Sequence, residues 1–489
     1  MVSYHISKTQ SINMESILGL FEKMEHEYRR QLLHAAFGLL VLLFPFIGAE
    51  ILLLLSFFVI MGLTFLPEDS PINRYLYKKP LPGSREMLTG NINEGLKSAK
   101  NLAIAVFILM LISSLLDFTS YRFPLYVIAG AIAISTFGTS AAKFIRHRKK
   151  LQSLRYEPKN IDGHESHILP SSIVLLGVGI ITAYIAGTWF LYWQESDVSS
   201  NMLFFLAVIG SITGALFESI PTRIDNNISV PLGSGMSMWL FSSFGYSVPA
   251  QQMFIALIFS LVLGYLAYRT KIADLSALFS AALLGVLIIV FSELFWFILL
   301  LTFFILGGAF TKFKYKYKES IGLAQSKGGV RSYENVFSNS TAALILAICY
   351  GIYPQHAELI IFAYLGTVAT ATGDTLASEI GTTAHSQPIM ITTLKPTQTG
   401  VDGAVSILGE LAALLGSMVI GLLPILFGRV DHVFLALAVT TAGGFLGTNV
   451  DSLLGATLQK RGLLSNSGVN FVATFAGAII SGALYLLLI

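Results

Sequence analysis

Ile360-Ile361-Phe362-Ala363-Tyr364-Leu365-Gly366-Thr367-Val368-Ala369-Thr370-Ala371-Thr372 runs without a charge into Gly373-Asp374-Thr375-Leu376-Ala377-Ser378-Glu379-Ile380-Gly381. An apolar run that ends on two carboxylates among glycines and hydroxyls reads as a membrane span with acids at its edge. Acids at that depth are costly unless something cationic meets them. The same arrangement recurs at Gly447-Thr448-Asn449-Val450-Asp451-Ser452, which closes another apolar run. Between the two lies Thr392-Thr393-Leu394-Lys395-Pro396-Thr397-Gln398-Thr399-Gly400-Val401-Asp402-Gly403. Carboxylates, a lysine and glycine-hydroxyl loops at one surface are what a metal-bound phosphate requires.

The rest of the chain fits the first reading. Of its 489 residues 54% are hydrophobic and only 12% charged, against about a quarter charged in a soluble domain. The fold class is therefore all-α and polytopic, an integral membrane protein. About fifteen spans are expected, paired as 34–48 with 50–66, 101–117 with 123–142, 168–192 with 201–219, 232–248 with 251–268, 273–290 with 292–311, 340–354 with 358–372, 404–428 with 432–450, and 469–489 alone. Met14, Ile17, Leu18, Phe21 and Tyr28 have helical spacing and predict an interfacial helix within a cytoplasmic N-terminus, 1–33. That N-terminus shows no secretory signal. A single cysteine, Cys349, excludes a disulfide within the chain. The net charge of +3 gives no case for a nucleic-acid partner; membrane lipids are the expected surroundings.

Basic clusters alternate with acidic or nearly neutral loops every two spans. The positive-inside bias then places the basic loops, and with them the glycine-carboxylate loops, on the cytoplasmic side. Lys312-Phe313-Lys314-Tyr315-Lys316-Tyr317-Lys318 alternates cation and aromatic, which suggests contact with anionic headgroups.

Two tandem repeats are expected, 34–268 and 269–489. Arg85 precedes Asn93 by eight residues, as Arg331 precedes Asn339. Phe137-Gly138-Thr139 answers Thr372-Gly373-Asp374, and Gly214 to Ser219, with Glu218, answers Gly447 to Ser452. An asparagine-bearing segment follows each, Asp225-Asn226-Asn227 or Ser465-Asn466-Ser467. About eight spans, then seven with the last pair truncated, make the copies parallel rather than inverted.

At these residues the C-terminal half, from about Lys327 onward, resembles a membrane family formerly of unknown function that includes plant phytyl-phosphate kinase. The resemblance rests on Arg331 with Asn335 and Asn339, on 373–381, on 392–406 and on 447–459. The N-terminal half more loosely resembles the phytol kinase, dolichol kinase and phosphatidate cytidylyltransferase group, through Arg29-Arg30 with His34, Phe217-Glu218-Ser219, Asp225-Asn226-Asn227 and Val230-Pro231. Thr139 stands where that group carries its acid, so the second half is expected to do the chemistry. The resemblance implies phosphoryl transfer from a nucleoside triphosphate, CTP, to an isoprenyl monophosphate or isoprenoid alcohol, a prenyl lipid. Cytidylyl transfer to an acidic lipid and ion-coupled transport are the alternatives.

Phosphoryl transfer needs a divalent ion on the nucleotide and positive charge on the moving group. Asp374 and Asp451 are the expected Mg2+ ligands, from separate span pairs, and Lys395 completes the catalytic set as a point charge on phosphate. Arg331, Asn335, Asn339, Gly373, Thr375, Glu379, Thr393, Gly400, Gly403 and Ser452 are expected to contact nucleotide or substrate. In the first repeat the corresponding candidates are Arg85, Glu218, Asp225 and Asn226. His34 and His385 read as structural, while Glu410, inside an apolar run, either shapes the site or pairs with a buried base, or bonds to a neighbouring helix.

Overall fold

The computed structural model describes residues 28, 30–66, 89–119, 121–156, 168–430 and 432–489. The expected interfacial helix, Arg29, Arg85 and the histidine-bearing stretch 164–167 lie outside the described residues. The chain forms two compact units, 1–248 and 249–489. The division falls before the span at 250–269, where the repeat spacing predicts it after that span.

The first unit contains α1 (Arg30–Phe46), α2 (Ala49–Phe65), α3 (Thr89–Leu116), α4 (Leu125–Arg148), α5 (Ile168–Trp193), α6 (Ser200–Ser219) and α7 (Asn226–Ser243). The second contains α8 (Ala250–Arg269), α9 (Leu275–Phe291), α10 (Leu294–Lys312), the short α11 (Tyr315–Ser320), α12 (Tyr333–Ile352) and α13 (Ala357–Gly381). After α13 come two-residue strands β1 (Ile389–Met390) and β2 (Ala404–Val405), paired antiparallel, then α14 (Ile407–Leu426), α15 (Val433–Gln459) and α16 (Asn466–Leu488). Among the described residues eleven helices are long and apolar enough to cross a membrane, and three apolar helices are shorter. The fold is that of an all-helical, multi-pass membrane protein. Large apolar side chains such as Phe58, Ile255, Ile305 and Ile479 are exposed, as lipid-facing surface requires.

The backbone polar groups are met inside the helices or by side chains, as a bilayer demands. The last turns of α1 tighten to a 3-10 helix around Pro45. Two of the carbonyls this frees are taken by α5, Leu42 O by Trp189 Nε1 (2.9 Å) and Pro45 O by Gln194 Nε2 (2.6 Å). Both α4 and α15 widen to a π turn, over Ile134–Gly138 and Gly455–Gln459 respectively.

In the second unit α13 is the central helix, touching α10, α12, α14, α15 and α16. Membrane helices gain little from burying apolar surface against one another, so close approach through small residues supplies the packing. At Gly366 the backbone of α13 meets α16: an added methyl would run into Ser481 Oγ and the Gly477 carbonyl oxygen. A backbone oxygen cannot rotate away, so Gly366→Ala is expected to cost about 1–3 kcal/mol. The check is a lowered thermal midpoint in detergent. Further along α13, Tyr364 is fully buried, donates to Trp296 O (2.7 Å) and packs edge-on to the Trp296 ring.

Helix direction sorts the second unit's charges to two ends. Arg269, Lys271, Lys312, Arg331, Lys395, Lys460 and Arg461 flank the end where α13 finishes. The other end carries Glu293, paired with Arg429 (2.6 Å), and Glu358, which accepts from Tyr485.

Candidate active site

The helix of α13 does not stop where its apolar run does. It continues through 373–381, because the polar residues there face other helices. Asp374 thus lies mid-helix and caps nothing. It is seven residues from the end of α13, about 10 Å of helix at 1.5 Å per residue. Gly373 keeps the neighbouring helices close: a side chain there would stand 2.7 Å from Thr448 Oγ1 and 3.0 Å from Ser417 Oγ. The crossing sets the Asp374 and Asp451 carboxyls side by side. Asp451 Oδ2 is shut off from solvent and has no hydrogen-bond partner. Two adjacent carboxylates cannot both ionise without a cation to hold them.

Arg331 supplies one nearby positive charge. It precedes α12, and its backbone is fixed by Arg331 N to Ile272 O (2.8 Å) and Asp274 N to Arg331 O (2.9 Å). Its guanidinium is buried, lies against Gly307 and Thr375, and reaches Thr311 Oγ1 at 3.5 Å. Burial pulls its pKa below the usual arginine range, while the carboxylates of Glu379 and Asp374 oppose that shift. Since arginine does not deprotonate in proteins, the group is a permanent cation facing two acids.

Glu379 has partners of its own. Lys318 forms a buried ion pair with its Oε2, and Gln325 Nε2 donates to its Oε1 (2.6 Å). Lys318 Nζ also donates to Phe310 O (3.1 Å) and Thr311 O (2.9 Å). Lys318 therefore does not lie on headgroups, as the alternating pattern suggests. The tract folds into the one-and-a-half-turn helix α11, entered through Lys314 at φ 47°, and this turns Lys318 inward. Its side chain is 1% exposed, and it is the important residue that sequence reasoning misses.

Asn335 and Asn339 occupy the first turns of α12. Asn335 Oδ1 accepts from Ser332 N (3.0 Å) in a capping box, and Asn339 Nδ2 donates to Asn335 O (3.0 Å) and Ser338 Oγ (3.2 Å). Both therefore have roles in fastening the start of α12. The loop after α13 is exposed at Thr393, Lys395 and Gly400. Hydrogen bonds from Met390 N to Lys395 O (2.9 Å) and from Ile391 N to Gly403 O (3.0 Å) pin it. Ser452 is half-buried beside Asp451 on α15. Glu410 accepts from Asn449 Nδ2 (3.1 Å), a helix-to-helix bond between α14 and α15.

In the first unit Thr139 donates to Ser135 O within α4. Glu218 forms an ion pair with Arg146 and accepts from Ser172 Oγ (3.0 Å), so both its oxygens are engaged. Asp225 caps α7, accepting from Asn227 N (2.8 Å), and Asn226 begins that helix. His34 Nδ1 lies 3.3 Å from Ser140 Oγ.

Among the described residues no group of three or more His, Cys, Asp or Glu side chains is set to hold a metal ion. A structural site is thereby disfavoured, but magnesium commonly takes one or two carboxylates and completes its octahedron with phosphate oxygens and water. Asp374 and Asp451, side by side and with one buried oxygen unpartnered, fit that donor set.

The model of the family described as integral membrane protein DUF92 matches residues 258–478. An uncharacterized membrane protein of Methanocaldococcus jannaschii is 33% identical over 235 residues, 48% of this chain and 94% of that one. Protein PGR of Arabidopsis thaliana is 29% identical over 272 residues, covering 46% of this chain and 93% of its own length. The chloroplastic protein VTE6 of the same plant is 29% identical over 192 residues, 38% of this chain and 57% of that one. No solved structure matches. Taken with the helical fold of the second unit, these matches show that the chain belongs to the DUF92 family of integral membrane proteins.

Proposed function

We propose that the second unit is a membrane-embedded kinase that moves the γ-phosphoryl group of a nucleoside triphosphate onto an isoprenyl monophosphate or isoprenoid alcohol. The carrying observation is the half-buried Asp374–Asp451 pair, with Asp451 Oδ2 unpartnered and Arg331 alongside. CTP as donor follows from the family resemblance of the motifs. The acceptor oxygen attacks the γ-phosphorus, the bond to the β–γ bridging oxygen breaks, and a nucleoside diphosphate leaves. Asp374 and Asp451 would hold Mg2+, which neutralises charge on the polyphosphate. Arg331 offers a planar fork to phosphate oxygens, and Lys395 with Thr393 and the amides near Gly400 and Gly403 would meet the nucleotide from the loop. A monophosphate acceptor is already ionised near neutral pH and needs no general base, which suits a site without histidine in its acidic motifs.

Position favours an enzyme over an ion-coupled carrier, whose acids belong near the bilayer midplane. Asp374 is seven residues from the loop-bearing end of α13 and seventeen from the other. By the positive-inside bias that end faces the cytoplasm, where nucleotides are.

Tandem duplication accounts for the first unit. In it α4 packs against α5 and α7, α5 against α6, α6 against α7, and α7 against α3; α13, α14, α15, α16 and α12 repeat that order. With Thr139 at the position of Asp374 and Glu218 bound to Arg146, this copy lacks the equivalent carboxylate pair among its described residues and serves as a non-catalytic partner.

The test is product analysis with purified full-length protein, each nucleoside triphosphate, and phytyl, geranylgeranyl and longer acceptors as alcohols and monophosphates. A prenyl diphosphate or monophosphate formed only with divalent cation is expected. Failure of every acceptor with every nucleotide contradicts the proposal.

A further inference from the structure

Asp402 is a third carboxylate at the same place. It sits between Gly400 (φ 86°) and Gly403 (φ 79°), in a loop held by the β1–β2 pairing. Gly403 packs directly on α15: an added Cβ would stand 2.8 Å from Ala456 Cα and 2.8 Å from Ala456 N. Gly455, one helical turn beyond Asp451 on the same face, has its would-be Cβ 3.7 Å from Asp402 Cβ. Asp402 therefore lies beside the turn of α15 that follows Asp451. It is exposed, whereas the oxygen that Asp451 leaves unpartnered is buried. Asp402 is thus the outermost of the three acids.

We propose that Asp402 and Asp451 form a second divalent-cation position, on the solvent side of the Asp374–Asp451 pair, for the ion that arrives on the nucleotide's polyphosphate. This rests on the kinase reading above. No three acids surround one point among the described residues, so a single ion held by all three is not what the geometry offers. Two ions, each using two carboxylates and sharing Asp451, need only phosphate oxygens and water to complete their shells. Asp402 and Asp451 would hold the outer ion, which would supply positive charge to the polyphosphate.

The test counts Mn2+ bound to full-length protein in detergent, by loss of the free-ion paramagnetic resonance signal, with and without CTP. Wild type is expected to bind two ions per chain with CTP present. Asp402→Asn is expected to bind one, with a second that is at least tenfold weaker and an unchanged thermal midpoint. Glu319→Gln, which removes an exposed carboxylate elsewhere on this end, keeps two. Equal counts in wild type and Asp402→Asn, or the same loss in Glu319→Gln, overturn the inference. One ion in both wild type and Asp402→Asn overturns it while leaving the Asp374–Asp451 site intact. No ion bound to wild type contradicts both.

Discussion

Asp374→Asn and Asp451→Asn are each expected to lower phosphoryl transfer on the order of a thousandfold, the scale on which single groups acting on transition-state charge are felt. Stability should move the other way. The two half-buried carboxyls lie side by side, and one oxygen of Asp451 has no partner. An amide in place of one carboxylate removes a like-charge contact and adds a donor, so the thermal midpoint without divalent cation is expected to equal or exceed that of wild type. Magnesium should raise the wild-type midpoint and leave both variants unmoved, because an ion that binds only the folded state stabilises it. Transfer measured beside a melting curve in detergent checks both parts. A variant that loses activity together with its fold would instead assign these acids a structural role.

The second large effect belongs to Lys318. With Nζ removed, Glu379 keeps Gln325 but loses its ion-pair partner, and becomes a buried, uncompensated charge. Breaking a buried pair from one side costs about 3–5 kcal/mol, whereas replacing both partners is often close to neutral. Lys318→Met should therefore melt well below wild type, and Lys318→Met with Glu379→Gln should recover most of the loss. The single change should also weaken nucleotide use in protein that remains folded, because Glu379 is then free to draw Arg331 away from Asp374. Steady-state KM for nucleotide, measured below the lowered midpoint, reads that second effect. A single variant as stable as wild type contradicts the account of the ion pair.

Much of the architecture is legible in the sequence, for identifiable reasons. A bilayer admits few alternatives to apolar helices, so runs such as 294–312 and 466–488 announce themselves by composition. Asp374 and Asp451 are conspicuous because an acid closing such a run needs a reason to be there. The end of α13 is not legible: 373–381 reads as a polar loop, yet it stays helical, with Thr375 and Glu379 buried and Asp374 near Arg331. Lys318 is hidden by a period-two pattern that a short helix overrides. Helical spacing sets Asn335 and Asn339 along one face with Arg331, but the chain enters α12 only after Ser332, and their amides fasten its first turns. The division at 248/249 is not legible in composition, since α8 is one more apolar helix and its packing against α9 assigns it to the second unit.

The most direct trial is where a nucleotide's label goes. Full-length protein in detergent would be given a prenyl monophosphate and CTP labelled at either the α- or the γ-phosphate, beside Asp374→Asn. Label from the γ position alone, found in the lipid and absent with the variant, is the expected result. Label from the α position in the lipid would make the protein a cytidylyltransferase. Transfer undiminished by Asp374→Asn would remove the carboxylate pair from the chemistry.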